Sequence, residues 1–595
     1  MCGLVSIFAY EENAPAVDEQ ELITIRDHML ARGPDGCGAW LSDNKRIGLG
    51  HRRLAIIDTS NDGLQPMVSS NGRVRIVFNG EIYNYQALRT QLLAKGHTFI
   101  SQSDTEVLLA GWLEWGEQLV THLRGMFAFV LWDEDKQGLF LARDTFGIKP
   151  LYVADDGKTL RCASQVKALL AGRNVDTTPN PAGHVGFFLW GHVPEPHTLY
   201  KGIRAFPAGN ALWIDRDGQR REYCFSSVPN LIQQAEENSR YWSVTEIQER
   251  LRTAVRDSVQ KHLIADVPVG IFLSSGIDSC TLAALATEVS TIPIHTLTLG
   301  FHEYRGLVED ETPLAEIMAQ QLNSRHETHW IAKSDFEQDY TAFIQAMDQP
   351  SIDGLNTWFV CKVAKHAGLT VAISGLGGDE LLGGYPSFKQ IPSIVRYLQH
   401  LHGLRHTLGR TTRKITANWM GKLTSSKYAG LLEYGTTYPG AYLLRRSVFM
   451  PWELDNHLPQ EIIQAGLPQV LEELYCTLPI NNTLSDKGKI SVLESTLYMR
   501  NQLLRDSDWA SMAHSIELRV PLVDIEVIAA TTRAHKAELA NNVRLKLPEK
   551  ISTRPKTGFM IPIRNWITVS NRTQQMRGLR SWVQHIYEQP TFSTL

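Results

Sequence analysis

Cys2 stands directly behind the initiator methionine, and removal of Met1 would place a thiol and a free α-amine on one Cα. That amine, directly or through a water molecule, can act as the base that a sulfur nucleophile needs. A second-position cysteine taken alone is only a small apolar residue. Here polar clusters follow it: His51 to Asp58 (HRRLAIID), Phe78 to Asn84 (FNGEIYN), Ser103 to Glu106 (SDTE) and Arg143 to Tyr152 (RDTFGIKPLY). Asn79 and Gly80 can offer a side-chain amide and a backbone N–H to the oxygen of a tetrahedral intermediate, where losing one donor costs about 10² to 10³ in rate. Arg53 can grip a carboxylate with two parallel hydrogen bonds, and Glu81 and Asp104 can receive an ammonium. Together these groups suit a free amino acid whose side-chain amide is to be cut.

A second constellation begins at Val267 to Ser279 (VPVGIFLSSGIDS), where an apolar, β-branched run gives way to small hydroxyl and glycine residues and then to a helix start. A strand, tight loop and helix of this kind aim unpaired N–H groups and the positive end of a helix dipole at the loop, which favours bound phosphate. Ser274, Ser275 and Ser279 add hydroxyls, Gly276 admits a close approach, and Asp278 suits a magnesium ion. Ser374 to Glu380 (SGLGGDE) is a second glycine-rich loop with acids, so Asp278 and Asp379 can share magnesium on a pyrophosphate.

The elements that must position these groups are legible in outline. Strand-like runs such as VRIVF lead into the first polar clusters. In the second half, Ile294 to Leu299 and Leu369 to Ile373 read as strands separated by amphipathic helical stretches, including Val244 to His262 and one ending at Gly368. Strands alternating with helices predict a doubly wound parallel sheet that binds ligands at the carboxyl ends of its strands. The Pro- and Gly-rich stretch Gly191 to Gly209 predicts a crossing between domains. A chain of 595 residues is long for one core.

A net charge of -4 spread over many charges of both signs gives no reason to expect nucleic acid or membrane partners. Seven cysteines without CxxC spacing argue for reduced thiols and a cytoplasmic location. Cys37 and Cys162 are expected to be core thiols. HETH (His326 to His329) is one residue short of the zinc-protease pattern HExxH.

Cys2-Gly3, RGPDG (Arg32 to Gly36), HxRL, FNGEIYN, SDTE and RDxFGIKPLY, in this order, resemble the class II glutamine amidotransferase domain. The paired SSGIDS and SGLGGDE loops, with Leu504 to Asp508, Ser511 to Pro521 and Arg554 to Phe559, resemble the PP-loop ATP pyrophosphatases and, among them, the glutamine-hydrolysing asparagine synthetase family. The resemblance implies a two-domain chain of α/β and α+β class. An N-terminal-nucleophile αββα sandwich would span 1–205, a connector 206–240, a doubly wound ATP-pyrophosphatase domain 241–570 and a tail 571–595.

It further implies that Cys2 attacks glutamine, with Asn79 and Gly80 as oxyanion hole. Arg53, Leu54, Ile56, Ile57, Asn79, Gly80, Glu81 and Asp104 would line the glutamine site. ATP would lie on Leu273, Ser274, Ser275, Gly276, Asp278, Ser279, Leu299, Ser374 and Gly375, with Mg²⁺ on Asp278 and Asp379. Lys556 would stabilise charge during adenylation and amide formation, and Leu376, Asp379 and Glu380 would face the acceptor. Asn84 and Asp144 read as architectural, and the resemblance allows a homodimer.

Two departures stand out. Ser275 replaces the usual first glycine of the phosphate loop, and Leu376 occupies a place where the family commonly carries an acid. A charged hydrogen bond is worth about 1.5 to 3 kcal/mol, so leucine there would weaken aspartate use by roughly 10- to 150-fold or suit another carboxylate. The expected reaction is amidation of AMP-activated aspartate. The alternatives are amidation of a sugar uronate or specialised metabolite and, further off, a glutaminase with a non-catalytic synthetase module.

Overall fold

The computed structural model describes residues 2–423, 425–479, 483–541, 543–554, 561–566 and 579–592. Its first part contains β1 (Gly3–Ala9), β2 (Gly36–Leu41), β3 (Ile47–Arg53), β4 (Met67–Val68), β5 (Val74–Ile82) and β6 (Gly125–Asp133). These are followed by β7 (Gly138–Arg143), β8 (Tyr152–Asp155), β9 (Thr159–Ala163), β10 (Arg204–Ala205), β11 (Asn210–Asp215) and β12 (Arg220–Cys224). They form two six-stranded sheets, β10-β8-β9-β1-β3-β2 and β12-β11-β7-β6-β5-β4.

Strand alternation explains the layering. Leu4 and Phe8 of β1 meet Val77, Val130 and Leu141 of the other sheet, while Val5, Ile7 and Ala9 turn outward into a separate cluster with Leu22, Ile25 and Leu169 from the helices Glu19–His28 and Val166–Ala171. On the second sheet Ile76, Phe78 and Phe129 turn outward beneath the helices Tyr85–Ala94 and Asp104–Trp115. The result is the αββα sandwich.

The second part is a parallel sheet of β13 (Val269–Phe272), β14 (His295–Phe301), β15 (Arg325–Ile331), β16 (Val371–Ile373) and β17 (Glu517–Arg519), ordered β15-β14-β13-β16-β17. The chain winds outward from β13 to β15 and then returns to β16 on the other side. The loops after β13 and β16 therefore share the crevice where strand order reverses, the usual ligand position in such sheets. The expected helix Val244–His262 is present and carries a capping box between Ser243 and Glu246.

Several expectations change. β11 and β12 continue the second sheet, so the first domain runs past 205, and residues 206–224 of the expected connector belong to the sandwich. The Pro- and Gly-rich stretch is a crossing after which the chain returns to the sheet. The expected tail also docks: Trp582, Val583 and Ile586 of the helix Arg580–Tyr587 are buried in the large core cluster, and Tyr587 donates to or accepts from His184 Nδ1 at 2.7 Å. Cys162 is buried, but Cys37 is exposed because it lies on the edge strand β2 with its side chain outward. HETH lies on β15, where His326 and His329 point to opposite faces. No helix among the described residues is long and apolar enough to cross a membrane.

Candidate active sites and the interface that joins them

Cys2 immediately precedes β1 and shares the inward parity of Leu4, so it faces the interior of the sandwich. Asn79 of β5 has the parity of Val77 and faces the same interior from the opposite sheet. The two meet: the Cys2 nitrogen donates to Asn79 Oδ1 at 3.0 Å, and the Cys2 thiol lies 3.9 Å from the Leu54 carbonyl. The other half of that amide, Asn79 Nδ2, is buried and finds no partner among the described residues. An orphaned buried donor is costly unless something is meant to accept from it. At Gly80 a Cβ would sit 2.2 Å from the Met126 carbonyl, so only glycine lets β5 pass β6 here.

Burial pushes the Cys2 thiol above its ordinary pKa, so it awaits a base. His51 does not supply one. Its Nε2 bonds the Phe78 carbonyl at 3.0 Å, and desolvation lowers its pKa to about 3, which keeps it neutral.

Leu54, Ile56 and Ile57 form buried parts of the loop after β3. Arg53, at the end of β3, spends guanidinium donors on the carbonyls of Ser60 (2.6 Å) and Asp58, which holds that loop in shape. Asp104 opens the helix Asp104–Trp115, capped by Ser103, and accepts from the Ile82 N–H at 3.0 Å. Its pKa is raised to about 6, mainly by burial. If Asp104 receives the glutamine ammonium, it must be ionised, and its charge is lost as pH falls through that value. We therefore expect kcat/KM for glutamine to decline below about pH 6, and a pH profile of glutamate release checks this; a flat profile across that range would count against the assignment.

Glu81 departs from the expected role. Its carboxylate lies 2.7 Å from Arg519 Nη2 of the second domain, and burial raises its pKa well above the usual range despite that arginine. A side chain so desolvated and already engaged is not an open ammonium receptor. Asn84 and Asp144 are architectural, as expected. Asn84 bridges the His122 carbonyl and Arg124 N–H, and Asp144 accepts from the backbone N–H groups of Phe127, Phe146, Ile148 and Lys149.

The second site is a cavity of about 700 Å³ lined by the loops after β13 and β16. Leu273, Ser274, Ser275, Gly276, Asp278, Ser279, Leu299, Ser374, Gly375, Leu376 and Asp379 all reach it. Ser274 and Ser279 are tied by their hydroxyls at 2.9 Å, and the Gly276 N–H donates to Ser274 Oγ at 3.1 Å, which curls the loop. Glycine at 378 keeps the loops close, since a Cβ there would lie 2.5 Å from Asp278 Oδ1. Between the two acids sits Lys536, 2.7 Å from Asp278 Oδ2 and bonded to Asp379 Oδ1. The pair raises the lysine's pKa although its burial alone would lower it.

Ser275 accepts from Arg554 Nη1, so the hydroxyl that replaces a glycine anchors an arginine from the late loop. Glu380 is buried and accepts from Tyr385 Oη at 2.6 Å, which turns it away from open acceptor contact. Leu376 packs beside Leu381, Val520 and Val523 with part of its side chain on the cavity. Lys556 lies outside the described residues.

Hard oxygen donors on facing loops suit Mg²⁺, which typically takes one or two carboxylates plus phosphate oxygens and water. Asp278 and Asp379 fit that pattern with Lys536 already marking the meeting point of their charges. When bound, the ion would neutralise pyrophosphate as it leaves.

Neither Lys536 nor Arg519 was indicated by the sequence pattern as a site residue. Arg519, fully buried on β17, donates to Glu517 (2.7 Å), Glu81 (2.7 Å) and the carbonyls of His262 (2.7 Å) and Ile264 (2.6 Å). Its own carbonyl accepts from the Ser374 N–H at 2.9 Å. Arg32 donates to the Cys2 carbonyl at 3.0 Å and grips Asp508 with two bonds of 2.6 and 3.1 Å. Against the desolvation imposed by burial, neighbouring positive charge that includes Arg519 and Lys149 holds Glu517 at about 2. The two sites thus share one buried polar wall.

Comparison with known proteins agrees with this geometry. The glutamine amidotransferase domain model matches residues 1–225, and the asparagine synthase model matches 250–591. Asparagine synthetase [glutamine-hydrolyzing] 1 of Bacillus subtilis is 31% identical over 607 residues, covering 99% of this chain and 90% of that protein. Asparagine synthetase B [glutamine-hydrolyzing] of Escherichia coli is 31% identical over 433 residues, 68% of this chain and 69% of its own. Amidase chry2 of Gibberella zeae is 32% identical over 419 residues, 65% of this chain and 60% of its own. With a sandwich that buries Cys2 against Asn79, a parallel sheet that pairs Asp278 with Asp379, and relatives aligned across nearly its whole length, the chain belongs to the glutamine-hydrolysing asparagine synthetase family of ATP-using ligases.

Proposed function

We propose that this enzyme converts aspartate to asparagine, with glutamine hydrolysed at Cys2 as the ammonia source and ATP cleaved to AMP and pyrophosphate at the second site. The observation that carries the first half is the buried, orphaned Asn79 Nδ2 beside Cys2. Once Met1 is removed, the nitrogen held by Asn79 Oδ1 is an amine that can take the thiol proton. Sulfur then adds to the amide carbon of glutamine, Asn79 Nδ2 and the Gly80 N–H receive the oxyanion, and the C–N bond breaks to release ammonia. Water cleaves the resulting thioester to glutamate.

In the second site, the N–H groups and hydroxyls of Ser274 to Ser279 would hold the phosphates, with Leu273, Leu299, Ser374 and Gly375 around adenosine. The acceptor carboxylate attacks the α-phosphorus and displaces pyrophosphate. Ammonia arriving along the buried polar wall then attacks the acyl adenylate and displaces AMP. Lys536 and Arg554 place positive charge beside the leaving phosphates, and Lys556 is proposed to join them.

The apolar Leu376 favours a second reading, amidation of a different carboxylate. Both are tested by supplying ATP, glutamine and candidate acids and following AMP together with the amide product. Asparagine formed with one AMP per amide supports the first reading. No asparagine at saturating aspartate would sink it, and an amide of another acid would establish the second.

A further inference from the structure

Resting on the reading of this cavity as the acceptor site, we infer that Asp353 recognises an ammonium group on the acceptor, so that the enzyme selects the head group of an α-amino acid. Asp353 lies on the same cavity as the phosphate loop and Leu376. It is half-buried, and its carboxylate oxygen Oδ1 accepts from the Gly354 N–H at 2.9 Å. Neither Asp353 nor the neighbouring Asp506 makes an ion pair with any described residue.

Asp506 is buried and is satisfied only by neutral donors, Ser351 Oγ and Trp509 Nε1, the latter at 2.9 Å. The positive charge of Arg505 offsets part of the cost of burying Asp506, but neither of these side-chain hydrogen bonds comes from a charged group. Desolvation raises the pKa of both groups, and the charge of Asp353 raises Asp506 further while Arg505 lowers it. Two carboxylates in this condition are best relieved by a cation brought in by the ligand.

The adjoining element fits the rest of such a head group. Asp353 precedes the helix Leu355–His366, which starts at Gly354 in a left-handed conformation (φ 89°) and has no side-chain cap. Asn356 and Thr357 of its first turn also line the cavity. A helix N-terminus favours a carboxylate, and Asp353 beside it favours an ammonium. A side chain at 354 is excluded by Trp509, 2.5 Å from where a Cβ would stand, so the chain is bound to present Asp353 at this corner. Tyr385 and Tyr498 complete the wall.

The experiment compares aspartate, succinate (no ammonium), 3-aminopropanoate (no α-carboxylate) and glucuronate as acceptors, following pyrophosphate release by the wild type and by Asp353→Asn and Asp353→Ser. Thermal unfolding midpoints verify that the variants fold. We expect wild type to prefer ammonium-bearing acids, and Asp353→Asn to raise KM for its best acceptor by about 10- to 150-fold. KM for ATP should remain close to wild type, which a general loss of structure would not allow. Unchanged acceptor KM in both folded variants, or succinate or glucuronate used as well as any ammonium-bearing acid, overturns the inference. If aspartate is inert while another ammonium-bearing acid is amidated, the aspartate assignment falls and the role of Asp353 stands.

Discussion

Replacing Cys2 by alanine is expected to lower glutamine-dependent synthesis by at least about 10⁴-fold while ammonium salts still support it. The substitution removes one buried sulfur and leaves the nitrogen bonded to Asn79. No other described group near Asn79 could replace the thiol, since His51 is neutral and held by the Phe78 carbonyl. The two activities are read as amide formed from glutamine or from ammonium chloride under otherwise equal conditions. Loss of both in a folded variant would refute the division of labour between the domains. Material retaining Met1 should behave like the alanine variant, because its Cys2 nitrogen is an amide and cannot act as a base; mass spectrometry of the same sample tells the two cases apart.

The complementary result is expected from Asp379→Asn. Acceptor-dependent pyrophosphate release should fall by about 10² to 10³, while glutamate release without ATP or acceptor stays near wild type. The carboxylate faces Asp278 across Lys536, so its removal takes away one of the lysine's two acidic partners and one of the two acids proposed to hold the metal ion. Lys536, held between the two acids, offsets their mutual repulsion. Excess Mg²⁺ should restore part of the lost rate if weakened ion binding is the cause. An unaltered rate of pyrophosphate release would remove Asp379 from the proposed metal site.

The sequence was most informative where chemistry and local structure coincide. Asn79 and Gly80 sit at the end of an alternating strand, and Asp278 opens a helix after an apolar run; in each case the spacing names both the residue and its direction. Lys536 offers no such cue. It stands 258 residues from Asp278 and 157 from Asp379, in a short helix with nothing to distinguish it from a solvated lysine. Arg519 and Glu81 are 438 residues apart, and each alone reads as an ordinary charge.

The fold was missed in similar places. β15 is polar because it is an edge strand, and β17 spans three residues, too few to show a period. β11 and β12 were hidden behind a crossing that looked like a domain end. The ion pairs and sheet extensions that join distant segments depend on tertiary contact, which local pattern does not encode.

Arg519 has a consequence for how such enzymes can be recombined. Its side chain completes the wall of one catalytic domain, while its backbone belongs to the sheet of the other and steadies Ser374. A graft that joins this amidotransferase half to a foreign synthetase half would leave Glu81 without its arginine, and breaking a buried pair by removing one partner costs about 3 to 5 kcal/mol. The natural seam for exchange is therefore not the end of β12. Descent should transmit the facing surfaces as one unit, and a workable chimera must carry the arginine's strand along with the strand that bears its partner.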